Sequence, residues 1–491
     1  MECLRMNCKP LFLFVLLIAF AASLSACSTN PATGKQQFAA LMSPSQEVQV
    51  GASEHQKIVK QFGLYEDAVL QDYVNRVGRS VTVDTERPDV QYKFFILDSP
   101  IVNAFALPGG YIYVSRGLLA LADNEAELAA VLAHETGHVT GRHSAERYSR
   151  GVVTSLGAAV LAAAVDSDGL TQALGVGSNL YLSSYSRGQE NEADTLGLRY
   201  MTRAGYDATQ MAAFLDSLRA QTELDSRLAG NGGASGLSYF STHPATADRV
   251  AKTRGEAAGY PSGGRISRDP HLSAVDGMIY GDSARQGFVR GRSFYHPAIG
   301  FGFDAPEGFT LVNQPEQVIA TSQQSGSAIL FDMVGSGGMS DPSAFLTQKW
   351  LNGKTVAGPV ERIDINGMQA AATSMPGQLN GRPMTIQLIA IAWDAQTIAR
   401  FQIAIPQGAP AALVDSLKRA TYSFRRLSAA ERGAIKPYHV QIVTARSGDT
   451  PSSLAARQAF DRSSEDRFRV LNGLRGGEGV QAGTRYKIIV E

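Results

Sequence analysis

The sequence predicts a multidomain chain: a mainly α domain with a small sheet, then an α+β domain, then a small βααβ module. Three observations predict it. The chain has 491 residues, more than one compact core holds. Its apolar pattern is mainly helical from Ser43 to Ala258 and turns to strand runs after the Gly/Ser/Pro-rich stretch Gly255–Arg268. A last segment, Tyr438 to Val490, carries strand, turn, helix, helix and strand signals of its own. The expected divisions are a leader over 1–27, a tether over 28–42, the helical domain over 43–258, a linker over 259–285, the α+β domain, of no assigned role, over 286–428, and the terminal module over 436–491.

Composition excludes some classes of function. Hydrophobic residues make up 44% and charged residues 18%, a globular balance and not a disordered one. The 45 basic residues offset 45 acidic ones, and no dense Lys/Arg block stands out, so no nucleic-acid partner is expected. The three cysteines, Cys3, Cys8 and Cys27, all precede position 28. Any metal in the body of the chain must therefore rest on histidine and carboxylate.

At the N-terminus, Arg5 and Lys9 precede an apolar run from Leu11 to Leu24, and Leu24-Ser25-Ala26-Cys27 follows. The run is short for a full membrane span and reads as a secretory leader. It resembles bacterial lipoprotein signals. That resemblance implies a lipid anchor at Cys27, and Ser28 after it, where an Asp would signal otherwise, implies the periplasmic side of the outer membrane. Ser28–Lys35 reads as part of a tether.

In the helical domain, Ser45 is the expected N-cap of a helix through His55 and Phe62, and a second helix covers Glu66 to Val81. Val90–Leu97 and Tyr111–Val114 read as strands, the latter entered through the Pro108-Gly109-Gly110 turn. Asn124 is placed to cap the helix carrying Glu125–His138. Val152–Val165 is small and apolar and reads as a buried or interfacial helix. In the α+β domain, runs such as Ala328–Met333, Met384–Ala392 and Ile398–Ile405 read as strands, with helices near Asp341–Leu351 and Ala411–Thr421.

Chemistry is concentrated in His134-Glu135-Thr136-Gly137-His138. On a helix, residues four apart share a face, so both imidazoles can meet one zinc ion. Glu135 sits about 100° round the helix, where it reaches a water at the metal and not the metal itself. This is the HExxH arrangement, with the glutamate as general base. A catalytic zinc needs a third protein ligand from another element. Glu190 and Asp194, four apart on a second expected helix, supply it: Glu190 as ligand, Asp194 orienting a ligand histidine. Glu192 lies off that face and is expected to be solvated. His143, five after His138, falls on another helix face and is expected to be structural. His55, His271, His296 and His439 show no partner pattern.

Four stretches together carry a resemblance: Asn103-Ala104-Phe105-Ala106-Leu107-Pro108-Gly109-Gly110, then HETGH, then Ser186 through Asp194, then Ser241-Thr242-His243-Pro244. The chain resembles the HtpX / CAAX-prenyl-protease family of zinc metallopeptidases, above all its periplasmic lipoprotein branch. The resemblance implies a zincin-like (gluzincin) fold and one Zn2+ per chain. It makes Glu190 the third ligand. It also places His243 near the metal, as a fourth ligand that holds the enzyme latent or as a stabiliser of the developing oxyanion. Asn103, Ala104 and Phe105 correspond to the family's strand beside the site, expected to offer an exposed edge on which an extended substrate pairs. The family's integral-membrane members have several long spans, and this sequence has none.

In the terminal module, Ser447-Gly448-Asp449-Thr450, then Leu454-Ala455, then Leu471-Asn472-Gly473-Leu474 resemble a LysM domain, which implies peptidoglycan binding through 436–491. Pro451 departs from that pattern. The function expected is a lipid-anchored zinc endopeptidase acting on misfolded or misassembled envelope proteins. Two alternatives are a wall-tethered chaperone or scaffold with a latent zinc site, and a murein peptidase.

Overall fold

A computed structural model describes residues 28–39, 41–152, 184–228, 239–244, 247–352, 358–460 and 463–491. The leader with Cys27 and most of the apolar stretch Val152–Val165 lie outside them. No helix among the described residues is long and apolar enough to cross a membrane.

A short hairpin, β1 (Ser28–Thr29) with β2 (Gln36–Gln37), opens the described chain. Helix α1 (Pro44–Phe62) follows. Its N-cap is Ser43, not Ser45: Ser43 and Gln46 form a reciprocal capping box, and Pro44 takes the first helical position, where its missing N–H costs nothing. Helix α2 (Ala68–Thr82) is capped by Asp67 and buries Leu70, Tyr73, Val74, Val77 and Val81, the helical-period face.

Three strands form the small sheet: β3 (Lys93–Leu97), β4 (Ala104–Leu107) and β5 (Tyr111–Ser115), in the order β3-β5-β4. β3 runs parallel to β5 and β4 antiparallel to it. Two helices come next, α3 (Arg116–Leu121) and α4 (Glu125–Thr140). Asn124 caps α4 as expected, its Oδ1 accepting from the Glu127 N–H at 2.9 Å. Every residue of α4 is buried, the polar ones included. Such a helix is the axis of its domain, and the others pack round it: α2, then α5 (Arg187–Arg203) and α6 (Thr209–Leu228). α5 approaches α4 closely because Gly137 and Gly197 face the partner backbone; a Cβ there would stand 2.9 Å from the Ala193 carbonyl and 3.0 Å from the His134 nitrogen. A single-turn helix α7 (Tyr239–Thr242) and helix α8 (Ala247–Ala257) complete the domain.

The stretch expected to be a linker is built into the structure. Helix α9 (Arg268–Val275) buries His271, Leu272 and Val275. His271 bridges Tyr73 and the Leu119 carbonyl, at 2.9 and 3.2 Å. The carbonyls of Ile266 and Ser267 accept from the N–H groups of Ala126 and Glu125, at 3.1 and 3.3 Å. Those donors have no partner inside α4, so the connecting segment closes the free end of the central helix. The expected tether is also packed: Asn30, Ala32, Gln37, Ala39 and Met42 are all buried.

The middle of the chain is β-rich. A seven-stranded antiparallel sheet runs, edge to edge, through Thr310–Asn313, Val318–Thr321, Ala328–Gly335, Thr397–Pro406, Arg382–Ala392, Met368–Leu379 and Glu361–Ile365. A second sheet, of four short strands, joins Arg425–Arg426 to Phe301–Asp304, Ser293–His296 and Phe288–Arg290. Phe301, Phe303, Phe331, Phe401 and Phe424 form an aromatic core shared by the two sheets.

The terminal segment does not stand alone in space. It runs β18 (Tyr438–Thr444), α10 (Pro451–Ala455), α11 (Ser464–Leu471), β19 (Arg485–Val490). β18 also pairs with Ile279–Tyr280, and Val440, Leu471 and Ile489 join the core of the helical domain. Lys487 of β19 is fully buried there. Its ammonium donates to the carbonyls of Ala120 and Ala122, at 2.8 and 2.7 Å, and meets Asp123 at 3.1 Å. It therefore satisfies the C-terminal carbonyls of α3, just before the central helix begins. Replacing Lys487 by Met strips the partner from a part-buried carboxylate and from these carbonyls. The expected loss is about 3–5 kcal/mol, read as a lowered urea midpoint; an unchanged midpoint would show that the contact holds nothing.

Candidate metal centre

His134 and His138 project from the same face of α4, and their Nε2 atoms lie 3.1 Å apart. Glu190, on the first turn of α5, brings its carboxylate to 3.6 Å from Nε2 of His134 and 3.4 Å from Nε2 of His138. His243, just after α7, places Nδ1 3.4 Å from Nε2 of His134 and 3.0 Å from Oε1 of Glu190. One donor atom from each of these four residues falls within a 4.8 Å cluster, and all four residues are buried.

These separations test whether a metal fits. Four donors around zinc, each about 2.0–2.1 Å from it, are about 3.3 Å from one another. The observed spacings of 3.0–3.6 Å scatter about that value. The two imidazole nitrogens 3.1 Å apart face the same space as the Glu190 carboxylate, the convergence that a shared ion requires. Burial holds the His138 pKa well below the ordinary value, keeping it neutral and able to ligate. The residues fit zinc.

Each metal-facing group has a partner behind it. Asp194, one turn after Glu190 on α5, meets Nδ1 of His134 at 2.9 Å. Arg249 of α8, which the sequence pattern did not single out, grips Asp194 with two hydrogen bonds of 2.6 and 2.7 Å and reaches Glu190 at 2.5 Å. Burial alone would raise the Asp194 pKa; Arg249 and His134 outweigh it and hold Asp194 at about 2. Glu190 likewise lies well below the usual carboxylate range, because His243, His138 and Arg249 outweigh its burial. Tyr185 stacks on His138 with ring centroids 3.7 Å apart, and Tyr239 on His243 at 4.5 Å.

Glu135 stands apart. It is fully buried, and neither carboxylate oxygen has a hydrogen-bond partner among the described residues. Its Oε1 lies 3.5 Å from Nε2 of His243. Burial raises its pKa, opposed in part by His243 and His134. A carboxylate so placed has raised proton affinity and no competing bond, the condition for accepting and returning a proton.

Three expectations change. Glu192 is not solvated: its side chain is 15% exposed and meets Asn30 and His143. His143 is not a remote structural histidine but a neighbour of His138, at 2.8 Å. The β4 edge is not open: Ala104, Phe105, Ala106 and Leu107 are 0, 4, 1 and 1% exposed, because the strand lies between α1 and α4. Asn103 accepts from Thr242, at 3.4 Å, and so touches the residue before His243.

Replacing Arg249 by Leu leaves two buried carboxylates facing each other. The metal-free protein is expected to lose about 3–5 kcal/mol of unfolding free energy, and a midpoint equal to wild type in urea would contradict that role.

Residues 68–257 match Peptidase family M48. The beta-barrel assembly-enhancing protease of Escherichia coli (strain K12) is 31% identical over 225 residues, covering 44% of this chain and 45% of that protein. The putative beta-barrel assembly-enhancing protease of Vibrio cholerae serotype O1 is 32% identical over 215 residues, covering 42% of each. Mitochondrial metalloendopeptidase OMA1 of Schizosaccharomyces pombe is 33% identical over 180 residues, covering 37% of this chain and 51% of that protein. The chain thus spans about half the length of the curated relatives it matches. Residues 68–257, which carry His134, Glu135, His138, Glu190 and His243, thus form the part of the chain that is similar to peptidase family M48.

Proposed function

We propose that this protein is a zinc-dependent endopeptidase of the bacterial cell envelope. The observation that carries the reading is the buried cluster of His134, His138, Glu190 and His243 beside an unbonded Glu135 carboxylate. His134, His138 and Glu190 would hold the metal, which when bound supplies Lewis acidity and a water of lowered pKa. Asp194 fixes the tautomer and plane of His134 through Nδ1. Glu135 takes a proton from the attacking water and returns it to the leaving amine.

His243 decides the resting state. With Nδ1 3.4 Å from Nε2 of His134 and 3.0 Å from Oε1 of Glu190, it takes the fourth place in the cluster, the position that a catalytic zinc site keeps for water. That spacing supports the latent reading: His243 closes the site, and activity requires it to swing out. Moved aside, its ring can instead donate to the developing oxyanion.

The substrates proposed are misfolded or misassembled envelope proteins, a reading supported by the similarity to beta-barrel assembly-enhancing proteases. The proposed location is the periplasmic side of the outer membrane, through a lipid anchor at Cys27. The LysM-like segment 436–491 is proposed to hold peptidoglycan. The closed position of His243 also favours a second reading, a wall-tethered chaperone or scaffold whose zinc site stays latent.

Incubating the protein without residues 1–27 with unfolded casein and with purified peptidoglycan, with and without a chelator, separates these. Chelator-sensitive cleavage of casein is expected, rising at least several-fold in His243→Ala. Inert wild type and inert His243→Ala would favour the scaffold, and cleavage of peptidoglycan alone a murein peptidase. Glu135→Gln should retain zinc and lose turnover by about two orders of magnitude or more; persistent turnover would exclude Glu135 as the base.

A further inference from the structure

The two metal-facing histidines are backed in different ways. His134 has Asp194. His138 has no carboxylate behind it; its Nδ1 meets Nδ1 of His143, at 2.8 Å. With Nε2 of His138 turned to the donor cluster, Nδ1 carries the proton and donates it to His143. His143, accepting at Nδ1, turns Nε2 toward Oε1 of Glu192, 3.8 Å away. Glu192 Oε1 in turn accepts from Nδ2 of Asn30, at 2.9 Å. The same Nδ2 group donates to the Gly141 carbonyl, at 3.1 Å, where α4 ends.

The local backbone makes this possible. α4 stops at Thr140, Gly141 follows, and Arg142 adopts a left-handed φ of 53°. The chain doubles back, so that His143 returns to the ligand face instead of continuing round the helix. A Cβ on Gly141 would lie 2.6 Å from Nε2 of His143; only glycine leaves room for the ring. Asn30 and His143 are each 2% exposed. Asn30 is held by its own turn, its Oδ1 accepting from the Ala32 and Thr33 N–H groups at 2.9 and 3.3 Å.

We propose that His143, Glu192 and Asn30 are positioning residues for His138, so that the segment 28–37 is a working part of the metal site. None of the three offers a donor atom to the metal cluster itself. They set the ring plane and tautomer of one ligand, as Asp194 does for the other. The proposal rests on the metal-site reading above. Partners behind a ligand histidine are worth about 10–100-fold in metal affinity.

The test measures zinc affinity of the full mature protein by competition with a chelating dye, together with the visible absorption of the cobalt-substituted form. That spectrum reports ligand geometry and does not respond to loss of general stability. His143→Ala and Glu192→Gln should weaken zinc about 10–100-fold and shift the cobalt bands. Asn30→Ala should change both in the same direction by a smaller factor. His143→Gln, which can still accept from His138 and donate to Glu192, should recover most of the affinity. Gln36→Ala, an exposed residue of the same segment, should behave as wild type. If His143→Ala does not fold, Glu192→Gln and Asn30→Ala decide. Wild-type affinity and spectrum in the folded variants would overturn the proposal alone. A wild type that binds no zinc would overturn the metal-site reading with it.

Discussion

Everything in the helical domain depends on keeping three imidazoles and two carboxylates together at one buried point. Unpaired, such groups are costly to bury. Here each is matched: Asp194 to His134, His143 to His138, Arg249 to Glu190 and Asp194. The exceptions are Glu135, whose oxygens lack a hydrogen bond, and Nε2 of His243, which faces it at 3.5 Å. The fold can carry this one open edge because Asp194, His143 and Arg249 satisfy the other members, and Glu135 is the group the chemistry needs free.

This matching draws in distant parts of the chain. The central helix is closed at its start by carbonyls from Ile266 and Ser267, and near its end by Asn30. Segments that look like connections in the sequence thus supply hydrogen bonds to the helix that bears the ligands. Composition marks them as turn-forming and polar, which is correct for their local structure. It does not reveal where their polar groups are used.

Much of the site was legible because helical spacing is local. Four-residue intervals brought His134 to His138 and Glu190 to Asp194, as the period requires. The same rule failed at His143, since it assumes that the helix continues; a left-handed Arg142 after Gly141 ends it. Glu192 was misread for a related reason: facing away from Glu190 means facing His143, not water. Arg249 could not be found from spacing, because it lies 55 residues beyond Asp194 and carries no motif. In the fold, strands and helices of the β-rich middle followed their apolar runs, whereas the docking of the terminal segment on the helical domain left no periodic trace. It depends on single residues such as Lys487 and on paired edges such as β18 with Ile279–Tyr280.

The Lys487 contact with α3 spans 367 residues of sequence. Contacts of such separation form late, since a long loop must close before they contribute. During synthesis from the N-terminus, the HETGH segment emerges long before the strand that carries Lys487. A partly emerged chain therefore holds the ligand helix before the carbonyls of Ala120 and Ala122, which precede it, have their ammonium partner. Order of assembly thus makes the end of the chain the last support placed under the start of its central helix.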